Sequence, residues 1–373
     1  MPEEIPLARP AIDDTDIAAV TDVLKSGRLS LGPRLGDFER ALATYCGTRG
    51  GVGVSSGTAG LVLALEALGI GPGDEVVTPS FTFVATANAV RLVGATPVFA
   101  DISPDTLDLC PAALENALGP RSRALLAVHV FGRPAPMRML GRIAADRGLR
   151  IIEDACEALG AWSDGRPAGA LGDVGVFGFY PNKIITTGEG GMIVSDDEAI
   201  LSDCRRGRNH GRDAGGDAFL SRRPGHNFRL SEINAALGNS QLLRLDERVA
   251  ARNRLAGDYD ERLKDLPGLR IPAPVSPGDQ PAWFVYVVRI AGGADRRDAV
   301  RRRLADAGIA TGHYFPAIHR LPPYQDERGC RHGPLAVTER VSDEVLALPF
   351  FPGLSASDLD RIRDALGAAL AAS

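Results

Sequence analysis

The sequence lacks the signatures of several common protein classes. Five cysteines are scattered through 373 residues without a Cys-x-x-Cys pair. They predict reduced thiols and argue against a disulfide framework or a zinc site. The six histidines show neither a His-Glu-x-x-His motif nor clustered spacing, so no metal is expected. The chain also has no Gly-x-x-x-x-Gly-Lys-Ser/Thr loop, which argues against a P-loop nucleotidase.

The chain also lacks features that would direct it to a membrane or to nucleic acid. No apolar run approaches the length of about 20 residues that spans a bilayer, and residues 1–6 are acidic, without the apolar core of a signal peptide. The net charge is −5 with both signs interspersed, whereas nucleic-acid binding needs a basic face. We therefore expect a cytoplasmic protein with neither partner.

One basic cluster, at residues 205–212, leaves two interpretations open. Four of its residues are arginines. Such a run is usually a solvated helix face, and the sharper alternative is a site for a phosphate-bearing small ligand.

Strand-like and helix-like segments alternate through the first two thirds of the chain. The pattern predicts strands at 51–55, 75–78, 96–100, 124–130, 151–153, 174–179 and 191–195, and helices at 58–68, 83–92, 112–118 and 137–147. Strict alternation predicts an α/β fold with a mostly parallel sheet covered by helices on both faces.

The last third of the chain has a different composition. A long helical region runs from Ser231 toward Leu266 and is followed by four prolines within residues 267–277. A strand (283–290) and helices at 297–307 and 356–370 then indicate a smaller α+β unit. We expect a large domain at 1–245 and a small C-terminal domain at 246–373.

The pair Asp154 and Lys183 is the most informative feature of the sequence. Lys183 lies in a turn that ends in Gly188-Glu189-Gly190-Gly191, and Asp154 ends an apolar strand. Either residue alone is ordinarily a surface charge or a turn residue. Together they match what a pyridoxal phosphate (PLP) enzyme needs, because the lysine amine forms a Schiff base with the cofactor aldehyde and the carboxylate keeps the pyridine nitrogen protonated.

The segment Ser56-Gly57-Thr58 lies between a predicted strand and a predicted helix. Free N–H groups and the helix dipole make such an N-terminus suitable for a phosphate, although Ser56 could simply cap the helix. The nearby spacing Gly51-x-Gly53-x-x-x-Gly57, with Glu75 downstream, approaches a dinucleotide fingerprint but has the wrong spacing. A Rossmann-type dehydrogenase remains a minor alternative.

Taken in order along the chain, these motifs resemble the DegT/StrS group of PLP-dependent sugar aminotransferases. The resemblance is carried by the segments 26–33, 56–58, 79–86, 153–155, Lys183 with 187–191, 225–231 and 348–349. It implies PLP fold-type I, the aspartate aminotransferase-like architecture, with a mostly parallel seven-stranded sheet in the large domain.

The resemblance implies a role for each candidate cofactor residue. Lys183 would carry the cofactor and then move protons as general base and acid, and Asp154 would pair with the pyridine nitrogen. Phe83 would stack on the ring, while Gly57 and Thr58, with Ser56, would hold the phosphate.

Other implied roles concern the substrate and a second subunit. Asn227 resembles the residue that reaches the phosphate from the neighbouring subunit, which implies a homodimer with shared active sites. The segment 314–319 resembles the substrate-side loop, where Tyr314, His313 and His319 join Lys183 as candidate substrate-binding residues.

The sequence departs from the family pattern at three positions. Many members have Ser where this chain has Gly178, so the phosphate would depend more on Thr58, Ser56 and Asn227. Glu157 stands where many have Gln, near the cofactor's phenolic oxygen, and we expect it to be protonated or turned toward the substrate. His226 replaces a common Tyr.

The resemblance implies transfer of an amino group from L-glutamate to a keto sugar. Glu157 favours a nucleotide-linked 4-keto-6-deoxyhexose, an intermediate of amino-sugar biosynthesis for polysaccharide, O-antigen or antibiotic. A 3-keto sugar nucleotide and a keto-cyclitol remain alternatives, as does a PLP-binding regulator without turnover. Lys183 argues against the dehydratases of the family, in which His replaces this lysine.

Overall fold

The chain was analysed as a computed structural model that describes residues 4–213, 220–326 and 330–373. Its strands are β1 (Gly50–Val54), β2 (Glu75–Pro79), β3 (Thr96–Ala100), β4 (Ser122–Val128), β5 (Arg150–Asp154), β6 (Trp162–Ser163), β7 (Arg166–Pro167), β8 (Val174–Gly178), β9 (Gly191–Ser195), β10 (Leu269–Arg270), β11 (Asp279–Gln280), β12 (Tyr286–Ile290), β13 (Arg331–His332) and β14 (Val345–Leu348).

Helices cover this framework. They are α1 (Asp14–Ser26), α2 (Pro33–Cys46), α3 (Gly57–Ala67), α4 (Ala85–Leu92), α5 (Pro111–Ala117), α6 (Met137–Arg147), α7 (Glu198–Gly207), α8 (Glu232–Leu242), α9 (Leu245–Leu263), α10 (Gly293–Asp306), α11 (Ala336–Glu344) and α12 (Ala356–Ala371). None of the helices in the described part of the chain combines the length and the apolar composition of a membrane span.

The large sheet confirms the predicted α/β topology. Its strand order is β1-β9-β8-β5-β4-β2-β3-β13. Only β9 runs against its neighbours, and the other strands are mutually parallel. The seven predicted strands are all present. The eighth, β13, is a two-residue edge strand from the last third of the chain, and nothing in its short sequence marks it as a strand.

Helices pack on both faces of this sheet because its strands are apolar on both sides. Adjacent residues of one strand enter different cores: Val76 and Leu126 join the core with α3, whereas Val77 and Leu125 join the core with α5 and α6. Since successive side chains point to opposite faces, both faces need cover.

Helix α3 is the most closely packed helix against the sheet. It is buried along almost its whole length, and a Cβ atom at Gly60 would lie 2.7 Å from Val176 of β8. The missing side chain therefore lets the helix approach the sheet closely. This contact fixes the N-terminus of α3 beside the carboxyl ends of β5 and β8.

The helical region after Ser231 differs in detail from the sequence prediction. It is two helices, α8 and α9, separated by Leu243 and Arg244. The helix predicted from Phe83 begins two residues later, at Ala85, so Phe83 lies in the preceding turn. Helices α1, α2, α7 and α11 were not identified from the sequence.

The C-terminal part of the chain forms a smaller α+β unit. Strands β10, β12 and β14 make an antiparallel sheet, and its core extends into α9, α10 and α12. We propose the division at 1–245 and 246–373, near the start of α9. Several segments cross this division. Ile5 packs in the C-terminal core, β11 pairs with β6, and β13 joins the large sheet.

Gly132 is a backbone position at which the two parts of the chain touch. The N–H of Ala282 donates to the carbonyl of Gly132 at 2.9 Å, and that of Phe284 donates to the carbonyl of Phe131 at 3.1 Å. Gly132 has φ +87°, and a Cβ there would overlap the Ala282 carbonyl oxygen.

Replacing Gly132 by alanine should therefore destabilise the protein strongly. We expect Gly132→Ala to lower the free energy of unfolding by about 3 kcal/mol or more, from backbone strain plus a steric clash. Gly165→Ala is the control, because Gly165 has φ +75° with no atom within 4 Å; it should lose only about 1 kcal/mol. Equal losses of unfolding free energy in the two variants, measured by chemical denaturation, would contradict the proposed steric clash at Gly132.

Candidate active site

The carboxyl ends of the parallel strands open into a cavity of about 430 Å³. Ligands bind at this edge in open α/β sheets. The predicted site residues that line the cavity are Ser56, Gly57, Thr58, Phe83, Asp154, Glu157, Gly178, Lys183 and Tyr314. The fold therefore brings together residues spread over more than two thirds of the chain.

Lys183 projects from the turn between β8 and β9. The turn is closed by hydrogen bonds from the Phe179 N–H to the Gly190 carbonyl (2.9 Å) and from the Thr187 N–H to the Phe179 carbonyl (3.0 Å). Its side chain is 17% exposed, with Nζ 3.5 Å from Oε1 of Glu157. Nζ also lies 4.0 Å from the centre of the Phe284 ring. The amine thus faces the cavity between a carboxyl group and an aromatic face.

Asp154 is a buried carboxylate at the end of β5. The Thr86 hydroxyl donates to Oδ2 at 2.7 Å, and the Cys156 N–H donates to Oδ1 at 3.2 Å. The Thr86 hydroxyl uses its only proton in the bond to Asp154. The Thr82 hydroxyl oxygen lies 3.1 Å from that of Thr86, so Thr82 must donate to Thr86. Such donors favour the charged form of a buried acid. Sequence reasoning missed Thr86, although it lies within the quoted 79–86 motif.

The N-terminus of α3 supplies a phosphate-sized cradle. Ser56 caps the helix by accepting from the Ala59 N–H at 3.1 Å, which leaves its own hydroxyl proton free to donate. A Cβ at Gly57 would lie 2.7 Å from the Cys156 sulfur, and one at Gly178 would lie 3.3 Å from it. The two glycines therefore let the start of α3, the end of β8 and the segment after β5 approach one another closely. Capping and anion binding are compatible at this site.

Glu157 is held at two points. Its Oε2 accepts from the Phe131 N–H at 3.0 Å, while Oε1 faces Lys183. Burial raises the pKa of Glu157, although the Lys183 charge and the Phe131 N–H oppose the shift. Glu157 therefore places a carboxyl group, fixed by the Phe131 N–H, beside the lysine amine.

An aromatic cluster lines the outer part of the cavity. Phe83 is 58% exposed, and its ring centre is 6.2 Å from that of Phe315. An exposed ring beside the cavity can stack on a flat ligand. The Tyr314 hydroxyl accepts from Nδ2 of Asn182 at 3.3 Å, and burial raises the pKa of Tyr314.

Three of the candidate residues lie outside the cavity lining. His313 donates from Nε2 to the Ser342 carbonyl at 2.8 Å, and His319 is buried between Ser80 and Glu339. Asn227 is exposed on the segment whose backbone pairs with Asn209. Within one subunit, the side chain of Asn227 is not part of the site.

The structure also bears on two of the alternatives that the sequence left open. Gly51 and Gly53 are strand residues of β1, and Glu75 begins β2, at the edge opposite the cavity. The chain therefore lacks, at this position, both the glycine turn of a dinucleotide site and the acidic residue that binds the ribose. Among the arginines of the basic cluster, Arg205, Arg206 and Arg208 pair with carboxylates, as expected of a solvated or structural role.

The residues present fit PLP. The cavity has an amine for the aldehyde, a buried carboxylate for the ring nitrogen, a helix N-terminus for the phosphate and an exposed ring for stacking. When bound, PLP supplies an electron sink for the carbon that loses a proton.

Comparison with known proteins agrees with this geometry. Residues 10–367 match the DegT/DnrJ/EryC1/StrS aminotransferase family, and the chain belongs to this family. It is 38% identical to GDP-perosamine synthase of Caulobacter vibrioides over 365 residues. The aligned region covers 97% of each chain.

Solved structures give the same result. The aminotransferase TlmJ from Streptoalloteichus hindustanus is 36% identical over 99% of each chain, with a TM-score of 0.93. S. venezuelae DesV, solved in complex with a ketimine intermediate, is 38% identical over 97% of this chain and 98% of its own, with a TM-score of 0.88. The chain is therefore a PLP-dependent sugar aminotransferase of fold-type I, as its sequence predicted.

Thr86 should contribute to cofactor affinity through Asp154. Thr86→Val keeps the shape of the side chain but removes the donor to Oδ2, and a hydrogen bond to a charged group contributes about 1.5–3 kcal/mol. We expect the affinity for PLP, from absorbance titration of the apoprotein, to fall about tenfold or more.

Thr82→Val is the matched control for this prediction. Thr82 is buried and bonds to Thr86 but not to Asp154. It should bind PLP within about threefold of the original protein, a difference of less than about 1 kcal/mol. Equal loss in both variants would show that the hydroxyl of Thr86 has no specific effect on Asp154.

Proposed function

We propose that this enzyme transfers an amino group from L-glutamate to a nucleotide-linked 4-keto-6-deoxyhexose, acting as a homodimer in the cytoplasm. The observation that carries the proposal is the convergence of Lys183, Asp154 and the α3 N-terminus in one cavity. Similarity to a GDP-perosamine synthase supports a nucleotide sugar as the acceptor. The five cysteines, all free, support a reducing compartment.

Lys183 is the proposed proton carrier. With PLP bound, Nζ of Lys183 would take a proton from the substrate carbon and later return a proton, acting as general base and then as general acid. The turn that closes on both sides of Lys183 restricts where this nitrogen can travel. Glu157, 3.5 Å away, holds the amine on the cavity side and can accept or release a proton at Oε1.

Asp154 and the phosphate cradle fix the position of the ring. Asp154, which accepts hydrogen bonds from the Thr86 hydroxyl and the Cys156 N–H, would pair with the ring nitrogen of PLP. The N–H groups of Gly57 and Thr58, at the N-terminus of α3, would hold the phosphate. The Ser56 hydroxyl adds a donor, and Gly178 leaves room for the close approach.

The substrate side is formed by the mouth of the cavity. Phe83 would cover one face of the cofactor ring, and Tyr314 would contact the acceptor. His313 and His319 contribute by anchoring the segment that carries Tyr314, since neither lines the cavity. Asn227 is proposed to reach the phosphate of the neighbouring subunit, which accounts for its exposed position in a single chain.

The amine of Lys183 should be required for turnover. Lys183→Ala should lower the rate of amino transfer by at least about a thousandfold, because both the attachment point and the proton carrier are lost. In the original protein, adding L-glutamate should bleach the yellow band of the bound cofactor, and a keto-sugar nucleotide should restore it.

The outcomes of this experiment separate the possibilities. Full turnover in Lys183→Ala would contradict the mechanism. A band that ignores glutamate would indicate another donor or a regulator without turnover. Recovery of the band by a 3-keto sugar nucleotide or a keto-cyclitol, but by no 4-keto sugar, would replace the proposed acceptor.

Sharing of the active site can be tested by mixing two variants. Asn227→Ala and Lys183→Ala should each be nearly inactive alone. If Asn227 acts on the neighbouring site, a mixed dimer has one site with both defects and one site with neither, so activity should reappear after co-refolding or co-expression.

Two outcomes would count against this arrangement. If Asn227 acts within its own subunit, every site in the mixture has one defect, and no activity will return. A monomer of full activity, detected by light scattering, would also exclude a shared site.

A further inference from the structure

We infer that Ser80, His319 and Glu339 form a clamp that holds the Tyr314–His319 segment over the cavity, which makes His319 a positioning residue for the keto-sugar acceptor. The inference rests on the proposed function for the identity of the acceptor. The three residues are called the Ser80 clamp below. They come from three separate parts of the chain: the turn after β2, the segment before the last helices, and α11.

The contacts of the clamp assign its protons. Oγ of Ser80 accepts from the His319 backbone N–H at 3.1 Å and lies 2.8 Å from Nδ1 of His319. Because Nε2 lies 3.1 Å from Oε1 of Glu339, that nitrogen carries the proton and donates it to the carboxylate. Nδ1 is then an acceptor, and the Ser80 hydroxyl donates to it. The ring is neutral in this arrangement.

The backbone continues the same attachment. The N–H of Ile318 donates to the Ser80 carbonyl at 3.0 Å. Ser80 thus receives two backbone N–H groups and donates its hydroxyl proton to the ring of His319, so one buried residue binds the end of the segment at three points. Loss of the imidazole would leave the buried Ser80 hydroxyl without its acceptor, which is costly.

The clamp is connected directly to the walls of the cavity. Phe315 lies four residues before His319, and its ring centre is 6.2 Å from Phe81 and 5.6 Å from Phe131. Phe81 directly follows Ser80 in the sequence, and Phe83 lies two residues after Phe81. The clamp therefore fixes the relative positions of Phe315, Phe83 and the adjacent Tyr314, all of which line the cavity.

A second attachment holds the beginning of the same segment. Nε2 of His313 donates to the Ser342 carbonyl at 2.8 Å, and the Ala317 N–H donates to the Ser342 hydroxyl at 2.9 Å. The segment is thus held by α11 at its start and by the Ser80 clamp at its end. Removal of His319 should loosen the end without releasing the whole segment.

A hydrolytic role for these residues is excluded by their surroundings. Serine, histidine and glutamate are the residue types of a catalytic triad. However, Ser80 is fully buried and is not among the residues that line the cavity. A substrate has no access to its hydroxyl, so the arrangement can position groups but cannot attack one.

The charged and titratable groups around His319 favour its neutral form. Burial lowers the pKa of His319, and the neighbouring His332 and Arg320 lower it further, while Glu339 opposes them. The ring of His332 lies 5.1 Å away, and Arg320 shares the Glu339 carboxylate at 3.2 Å. Protonation would turn Nδ1 into a donor and leave the Ser80 proton without an acceptor.

The sign of the pH effect follows from the lowered pKa. Above pH 6.5, the ordinary pKa of histidine, the ring is neutral and the clamp is complete. As the pH falls below 6.5, His319 binds a proton more readily in the unclamped state than in the clamped state, because its pKa is lower when it is clamped. The clamp therefore weakens progressively until the clamped ring itself protonates. Binding of the acceptor should weaken over the same range.

The test compares both half-reactions in the PLP-loaded dimer. We expect His319→Ala to raise the KM for the keto-sugar nucleotide about tenfold, the effect of about one net buried hydrogen bond. The rate at which L-glutamate bleaches the cofactor band should be unchanged. His319→Asn, whose amide oxygen can accept from Ser80, should recover part of the loss and should remove the rise in KM below pH 6.5.

His332→Ala is the matched control. His332 is the exposed histidine beside His319, and its Nδ1 bonds only to the carbonyl of Gly333 among the described residues. It should leave the KM for the acceptor unchanged. If His319→Ala leaves that KM unchanged as well, or slows both half-reactions equally, the positioning role is wrong.

A substrate-independent measurement separates this inference from the proposed function. Hydrogen exchange of the holoenzyme, corrected for the intrinsic exchange rate at each pH, should show lower protection factors at Ile318 and His319 in His319→Ala, and in the original protein below pH 6.5. If no keto sugar reacts but exchange changes as expected, the proposed acceptor is wrong and the clamp stands. Unchanged exchange would overturn the clamp. If His319→Ala does not fold, Glu339→Ala, which removes only the outer partner, provides the same comparison.

Discussion

The buried carboxylate of Asp154 is the constraint on which the site depends. A charge without solvent is stable only when donors surround it, and here Thr86 and the Cys156 N–H supply them. Thr86 belongs to α4, and Cys156 follows β5. The carboxyl group is therefore also a structural junction between α4 and the end of β5, because loss of either donor would leave a buried polar group less well satisfied. It lies at the end of β5 and lines the cavity.

The second requirement is the contact between the two parts of the chain. Phe131 and Gly132 pair through their backbones with the segment that carries Phe284. The same Phe131 donates its N–H to Glu157, and Phe284 lies against the Lys183 amine. A change in the packing between these two parts of the chain would thus reach the Lys183 amine through two short connections. Tyr314, hydrogen-bonded to Asn182, provides a third.

Several parts of the site followed from local sequence alone. Lys183, Asp154 and the Ser56–Thr58 segment could be recognised because each combines a reactive or capping residue with the glycines or apolar strand that its position requires. The seven-stranded sheet followed from alternating strand and helix patterns. His313 and His319 show the opposite case: their types and their place in the substrate-side segment pointed to the cavity, yet their rings bond to Ser342, Ser80 and Glu339 outside it.

The sequence by itself determined the class of fold and the cofactor and led to the proposed pair of Lys183 and Asp154, because these depend on short patterns of apolar period, glycine and charge. The tertiary structure alone decided which residues meet across long separations. Thr86 reaches Asp154 over 68 positions, Ser80 reaches His319 over 239, and β13 joins β3 from the far side of the chain. Such contacts arise from packing the helices against both faces of one sheet, and no local pattern of residues encodes them.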